Sequence, residues 1–169
     1  MTTAIRQARP SELALLPVIE QRAGALFDAI TWFNLPEGDG LAMDFIEAIA
    51  RSGAALVATV DDVPVGFALL GFLDRAVHLY ELDVAPPHGG KGLGRGLVEA
   101  SCDWAKAEGA PAVTLSTFRE VPWNGPFYAS AGFHVMPRAA WTPALHLLHL
   151  REIDIGLPIE RRIFMRKDL

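Results

Sequence analysis

Apolar positions recur along the chain at two spacings, and the switches between them outline the elements. A helix-periodic run over residues 13–27 follows the Ser11-Glu12 pair, which reads as a helix start, and Pro17 falls where it would kink the first turns. Leu41, Phe45, Ile46 and Ile49 share one helical face and predict a short helix over 41–51, stopped by Ser52-Gly53. From Ala54 the texture changes to strands. Residues 56–60, an Asp61-Asp62 turn, 63–72, an Asp74-Arg75 turn and 77–84 predict an antiparallel meander. Its cover is a helix over 92–109, in which Leu93, Leu97, Ala100 and Trp104 recur at helical spacing and Gly109 ends the run. A strand over 112–117, a short helix over 123–131 closed by Gly132, and a strand over 133–135 follow. Pro143 begins a helix running to about residue 155, and 161–165 is the last strand; 5–10 is the first. The whole is a mixed sheet with helices.

Composition narrows the class. A chain of 169 residues, 51% hydrophobic and 21% charged, suits one folded domain over 1–169. Fifteen Lys and Arg against twenty Asp and Glu give a formal charge of -5, which repels polyanions and welcomes a cationic substrate. Nucleic acid is therefore not an expected partner. Cys102 alone supplies neither an internal disulfide nor a thiolate metal site, and no stretch approaches the roughly 20 apolar residues of a membrane span. The expectation is a cytoplasmic protein without metal or membrane.

The chemistry concentrates in residues 84–96, Val-Ala-Pro-Pro-His-Gly-Gly-Lys-Gly-Leu-Gly-Arg-Gly, where a strand passes into a helix. Glycines let a backbone approach phosphate oxygens, successive N–H groups form an anion nest, and the helix N-terminus adds positive potential. Lys91 and Arg95 add charge. No register satisfies the dinucleotide spacing of glycines at i, i+2 and i+5. An NTPase phosphate loop fails too, because Ala85 and Gly92 stand at two required positions.

This loop resembles that of the GCN5-related N-acetyltransferases. In that family a strand and Val-x-Pro are followed by Arg or Gln, two residues, Gly, any residue, and Gly or Ala. Val84-Ala85-Pro86 and Gly92-Leu93-Gly94 fall in register, while Gly89 stands where Arg or Gln is usual. Residues 122–133, with Tyr128 and Gly132-Phe133, resemble the family's later motif. The resemblance implies an α/β fold with a mixed, mostly antiparallel sheet of six to seven strands, a central parallel splay and flanking helices. It implies acetyl-CoA as cosubstrate, held by Leu82, Val84, Gly89, Gly90, Lys91, Gly92, Leu93, Gly94, Arg95 and Asn124, with an amine as acceptor. A homodimer is left open.

Within that frame the backbone N–H of Val84 would polarise the thioester carbonyl. Tyr128 would give a proton to the departing thiolate, whose basicity is comparable. The base candidates on the same strand are Glu81 first, His78 second, and Asp83. Strict alternation places His78, Tyr80 and Leu82 on one face and Leu79, Glu81 and Asp83 on the other, unless a bulge intervenes. Asn124 either binds the cofactor or caps the helix. Glu20, Trp32, Phe33 and Glu37 fall where related enzymes build the acceptor pocket. Cys102 reads as a buried hydrophobe, and His146 and His149 as a helix surface. A non-catalytic acyl-CoA-binding module on the same scaffold is the alternative that Gly89 keeps open.

Overall fold

A computed structural model describes residues 1–34 and 40–169. Its strands are β1 (Thr3–Gln7), β2 (Ala54–Val60), β3 (Val63–Leu73), β4 (Ala76–Val84), β5 (Ala112–Phe118), β6 (His134–Val135) and β7 (Arg162–Asp168). The helices are α1 (Leu16–Gly24), α2 (Met43–Ser52), α3 (Leu93–Ala107), α4 (Gly125–Ser130) and α5 (Pro143–Asp154). One sheet runs in the order β1-β2-β3-β4-β5-β7-β6, antiparallel throughout except for the β4–β5 pair.

Side-chain alternation gives the sheet two apolar faces. On one, Leu93, Leu97, Val98, Cys102 and Ala105 of α3 pack on Val77, Leu79, Val113, Leu115, Ile163 and Met165. On the other, Leu16 and Ile19 of α1 and Ile46 and Ile49 of α2 cover Val57, Phe67 and Leu69, while Leu145 of α5 meets Phe164 and Met136. The meander is turned by Asp61, Asp62 and Asp74, all at positive φ, a conformation that Asp tolerates better than most residues.

Several boundaries differ from the sequence reading. The predicted 13–27 helix divides into a 3-10 turn at Pro10–Leu15, α1, and a second 3-10 turn at Ala25–Ala29. Pro17 lies in the first turn of α1, where its missing N–H costs no hydrogen bond, so it begins the helix instead of kinking it. The first strand ends at Gln7, because Pro10 begins that 3-10 turn. The last strand extends to Asp168 through its pairing with β5.

The helix predicted over 123–131 is trimmed to α4. Pro126 occupies its first turn, and Gly125 lies against backbone: a Cβ there would stand 2.5 Å from Arg119 O and 3.0 Å from Phe118 O. These are main-chain atoms of the strand end, so neither can swing aside. Gly125→Ala should therefore destabilise the protein by about 1–3 kcal/mol, as overpacking does. At roughly 2–4 °C per kcal/mol for this chain length, a lowered melting midpoint by calorimetry is the expected reading.

Candidate active site

The parallel ladder between β4 and β5 is short. It joins Val77 to Val113, His78 to Thr114 and Leu79 to Leu115, and ends there although both strands continue. The cause lies on the other side of β4. Leu70 of β3 opposes Leu79 and Leu69 opposes Glu81, so Tyr80 is an extra residue that no β3 residue faces. Such a bulge bends a strand and increases its local twist. The Tyr80 ring packs against Phe45 at 5.5 Å and His78 at 4.8 Å between centroids.

The bulge also corrects the strict alternation. Val77 and Leu79 face α3, and beyond Tyr80 so do Leu82 and Val84. Glu81 and Asp83 consequently share the α1 side of the sheet with Leu69 and Phe67, the residues they pair with. His78 lies on that side too. The backbone of the same segment is oriented by one bond: the Ala85 N–H donates to Val65 C=O at 2.8 Å, toward β3. Alternation along an extended strand then turns the N–H and C=O groups of Val84 and Leu82 the other way, toward β5. An unpaired strand edge thus faces the gap.

Below this edge the chain makes a 3-10 turn over Pro86–His88 and reaches the glycines. Gly90 and Gly92 have φ of 69° and 84°, whereas Gly89 is extended at φ −63°. Gly92 is the N-cap of α3 and brings no side chain, so the first-turn N–H groups stay available to an anion. A Cβ on Gly94 would lie 3.7 Å from the Phe127 ring and 3.9 Å from Val84, which places that helix turn against both the strand end and α4. Clefts of about 370 Å³ flank the loop on both sides, one lined by Thr3, Ala4, Ile5, Lys91, Gly92 and Leu93, the other by residues including Arg22, Pro64 and His88. Lys91 Nζ donates to Pro87 C=O at 3.0 Å. Arg95 turns away from the loop: Nη2 donates to Ser130 Oγ at 2.7 Å and its guanidinium lies 5.9 Å from the Phe127 ring centre.

Electrostatics distinguish the polar residues. Burial, then the charge of Glu20, pushes the Glu81 carboxyl up to about 7. Asp83 is raised well above the ordinary carboxyl range by burial, Glu81 and Glu20, and the two carboxyls are hydrogen-bonded to each other. Asp83 Oδ2 is buried without a hydrogen-bond partner. Glu20 accepts the Leu41 N–H at 2.8 Å, which ties α1 to the start of the α2 segment. Tyr128 on α4 is buried, and desolvation with the nearby Glu81 and Asp83 charges holds its proton more firmly than usual. His78 behaves oppositely. Its Nδ1 meets Thr114 Oγ1 at 2.8 Å, and burial with Arg162 lowers its pKa to about 3. It is neutral at pH 7.

Arg162 was not foreseen. It bonds Glu152 of α5 at 2.7 Å and Ser116 Oγ at 3.0 Å, and lies 4.5 Å from the Phe118 ring centre. Its only signal in the sequence is a charge beside the apolar Ile163-Phe164-Met165 run. Asn124 stands at the N-cap position of α4 without capping it through its side chain: its Oδ1 turns back to accept the Phe118 N–H at 3.4 Å. Trp32 and Phe33 join Phe27 and Phe118 in one aromatic cluster. Glu37 lies outside the described residues. Cys102 is buried against α3's partners, and His146 and His149 pack on Trp141 at 5.3 and 5.1 Å.

The sequence profile of the Acetyltransferase (GNAT) family matches residues 25–133, well over half of the chain. The chain belongs to the GNAT acetyltransferase family. Solved structures agree on the fold. PaiA N-acetyltransferase from Thermoplasma acidophilum, crystallised with coenzyme A, is 17% identical with a TM-score of 0.70, and each chain is covered in full. A GNAT acetyltransferase from Staphylococcus aureus is 18% identical, with a TM-score of 0.77 and 99% of each chain covered. N-acetylglutamate synthase from Neisseria gonorrhoeae, in complex with coenzyme A and N-acetyl-glutamate, is 16% identical with a TM-score of 0.69, and this chain is matched in full to 35% of that one. The seven-stranded GNAT sheet with its parallel β4–β5 pair is thus the expected fold in full. Among the described residues no helix is long and apolar enough to cross a membrane.

The His78 shift carries a pH signature. Between its unfolded pKa of about 6.5 and the folded value of about 3, the unfolded chain binds a proton that the folded one does not, so this group's contribution falls as pH drops through that window. Glu81 tilts stability the other way, because its folded pKa is raised. Urea unfolding of wild type and His78→Gln at pH 4.5 and 7 separates the two, and the variant should lose less stability on acidification than the wild type.

Proposed function

We propose that this GNAT protein transfers the acetyl group of acetyl-CoA to a primary amine by direct attack in a ternary complex. The observation that carries this reading is the free β4 edge at Leu82 and Val84, set directly above a glycine loop that opens a helix. The edge offers backbone partners for an extended amide-bearing arm, and the loop offers N–H groups for a diphosphate. PaiA and the gonococcal synthase, both solved with coenzyme A, support the same assignment.

Each group then has a task. The Gly90–Gly94 backbone and Leu93, with Lys91 beside them, hold the diphosphate. The Val84 N–H points at the thioester oxygen, where negative charge develops as the amine adds. Glu81, poised near neutrality, accepts a proton from the incoming ammonium, since only a neutral amine is nucleophilic. Tyr128 carries the proton that the thiolate takes as the C–S bond breaks; its raised pKa keeps it protonated until then. His78, neutral and bonded to Thr114, braces the strand pair where the ladder ends. Arg95 serves through α4, anchoring Ser130 and so the helix that bears Tyr128. Asn124 positions that helix against β5.

Calorimetry with acetyl-CoA and thiol release with butylamine, 1,4-diaminobutane, 2-phenylethylamine and a peptide bearing a free α-amine test the reading. Binding without thiol release from any of them would favour a non-catalytic acyl-CoA-binding module.

Tyr128→Phe keeps the packed ring and removes the proton. It should retain acetyl-CoA affinity while lowering kcat about a hundredfold. Wild-type turnover, with chemistry shown to limit the rate, removes Tyr128 from the mechanism.

Lys91→Ala should weaken acetyl-CoA binding about two- to fivefold, in the range of an exposed ion pair, with a shallower salt dependence. Gly89 is extended, and a Cβ there meets only Pro86 O at 3.3 Å, so an arginine fits the backbone. Gly89→Arg should restore part of the affinity in the Lys91→Ala background through paired phosphate hydrogen bonds. Titrations at two salt concentrations read both effects, and unchanged binding of Lys91→Ala at low salt would leave the backbone nest sufficient alone.

A further inference from the structure

The two longest helices treat their outer sides differently. The solvent side of α3 carries Arg95, Glu99, Asp103 and Lys106, the ordinary polar face of a helix laid on a sheet. α5 reverses that pattern. Toward the sheet it buries Leu145 and also Glu152, which holds Arg162. Toward solvent it turns Leu147, Leu150 and Ile153, exposed to 67%, 54% and 46%. Positions three apart are neighbours on a helix surface, so these three side chains form one continuous stripe. Single exposed apolar residues need no explanation, whereas a contiguous set of them marks a contact surface.

The charges beside the stripe decide what covers it. At 100° per residue, Arg151 and Asp154 both fall on the flank of the stripe that Leu147 occupies, and both are exposed. Among the described residues neither enters an ion pair, not even with the other. A basic residue ahead of an acidic one is the weaker order for pairing within a helix. A symmetric pair of chains requires a surface that complements itself, and this one does. Two α5 helices set antiparallel, with a two-fold axis between residues 151 and 152, bring Leu150 of one copy onto Ile153 of the other, and the reverse. Such an axis, normal to the plane of the two helices, also sets each flank against the same flank of the second copy. Arg151 then stands two residues, about 3 Å of helix rise, from Asp154 of the second copy, and the same pair forms in the opposite sense. A parallel pair would set that flank against the opposite one and keep Arg151 apart from Asp154.

We propose that α5 pairs antiparallel with α5 of a second copy of this chain, making a two-fold homodimer with an apolar seam of Leu147, Leu150 and Ile153 and reciprocal Arg151–Asp154 ion pairs at its rim. The pairing is independent of the acetyl-transfer reading above. One helix face supplies less than the roughly 800 Å² per partner of a standard interface, so the dimer is a weak one, with a dissociation constant of about 10–100 µM.

Sedimentation equilibrium of the full chain from about 5 to 500 µM should show a reversible monomer–dimer equilibrium. Leu150→Asp places a charge at the centre of the seam. The position is exposed in the single chain, so the variant should keep its far-UV circular dichroism and stay monomeric at every concentration. Arg151→Asp and Asp154→Arg each bring like charges together across the rim and should weaken the dimer about fivefold, and the double swap should return it to within about twofold of wild type. A wild type that is monomeric throughout overturns the proposal and leaves the stripe to a protein of another kind. A dimer that survives Leu150→Asp uses a different face and overturns it equally. Charge reversals that the double swap does not repair overturn the antiparallel pairing.

Discussion

Tyr80 occupies a place on β4 that β3 does not answer, and the arrangement around the site follows from that one unmatched residue. Before it, odd-numbered residues face α3; after it, even-numbered ones do. Without the shift, Leu82 and Val84 would leave the core and two carboxyls would enter it. With it, the apolar positions of the whole strand remain under α3 while His78, Glu81 and Asp83 are brought to the opposite side. The added local twist is also the physical reason that β4 and β5 part company one residue before the bulge. The Tyr80 ring, packed between Phe45 and His78, fastens the irregularity in place.

Burial is then the largest cause that differentiates the titratable groups. Loss of solvent favours the neutral form of any ionisable side chain, which lowers a histidine and raises a carboxyl. His78 and Glu81, three residues apart, are moved in opposite directions by the same leading cause. Arg162 could have reversed the carboxyl shift, but Glu152 and Ser116 hold it against α5, where its charge is largely spent. A pair such as Arg162–Glu152 adds little net stability when buried. Its geometric effect is larger, since it fixes α5 to the middle of the sheet and leaves the acidic side of the gap acidic.

Local features were legible in the sequence wherever they depended on near neighbours. The meander, with turn residues Asp61, Asp62 and Asp74 at positive φ, the amphipathic α3, and the Gly90 and Gly92 turns follow from side-chain size and spacing within a few residues. The family could be read from the two short motifs for the same reason. What could not be read is pairwise. The bulge belongs to the register between β3 and β4, and no property of Tyr80 itself announces it. Arg162 reaches Ser116 across 46 positions, and Asn124 turns to Phe118 because Gly125 is pressed against that strand end. Pro17 was misplaced by the assumption that the helix began before it, when the preceding turn is 3-10.

The free stretch of β4 is an edge in the interior of a sheet. Exposed edges are where proteins recruit foreign strands and aggregate, and they are normally blunted by charge, proline or brevity at the periphery. Here the protection is one of access. Above the last rung at Leu79 and Leu115 the two strands diverge from a closed apex, and Ala85 and Pro86 end the edge only a few residues later. A polypeptide with side chains on both faces, and a full strand spacing of about 4.8 Å required on each flank, finds no footing so close to the apex. A slender chain with isolated amides does. The same geometry that admits an unbranched arm thus keeps this sheet from being lengthened by a neighbour.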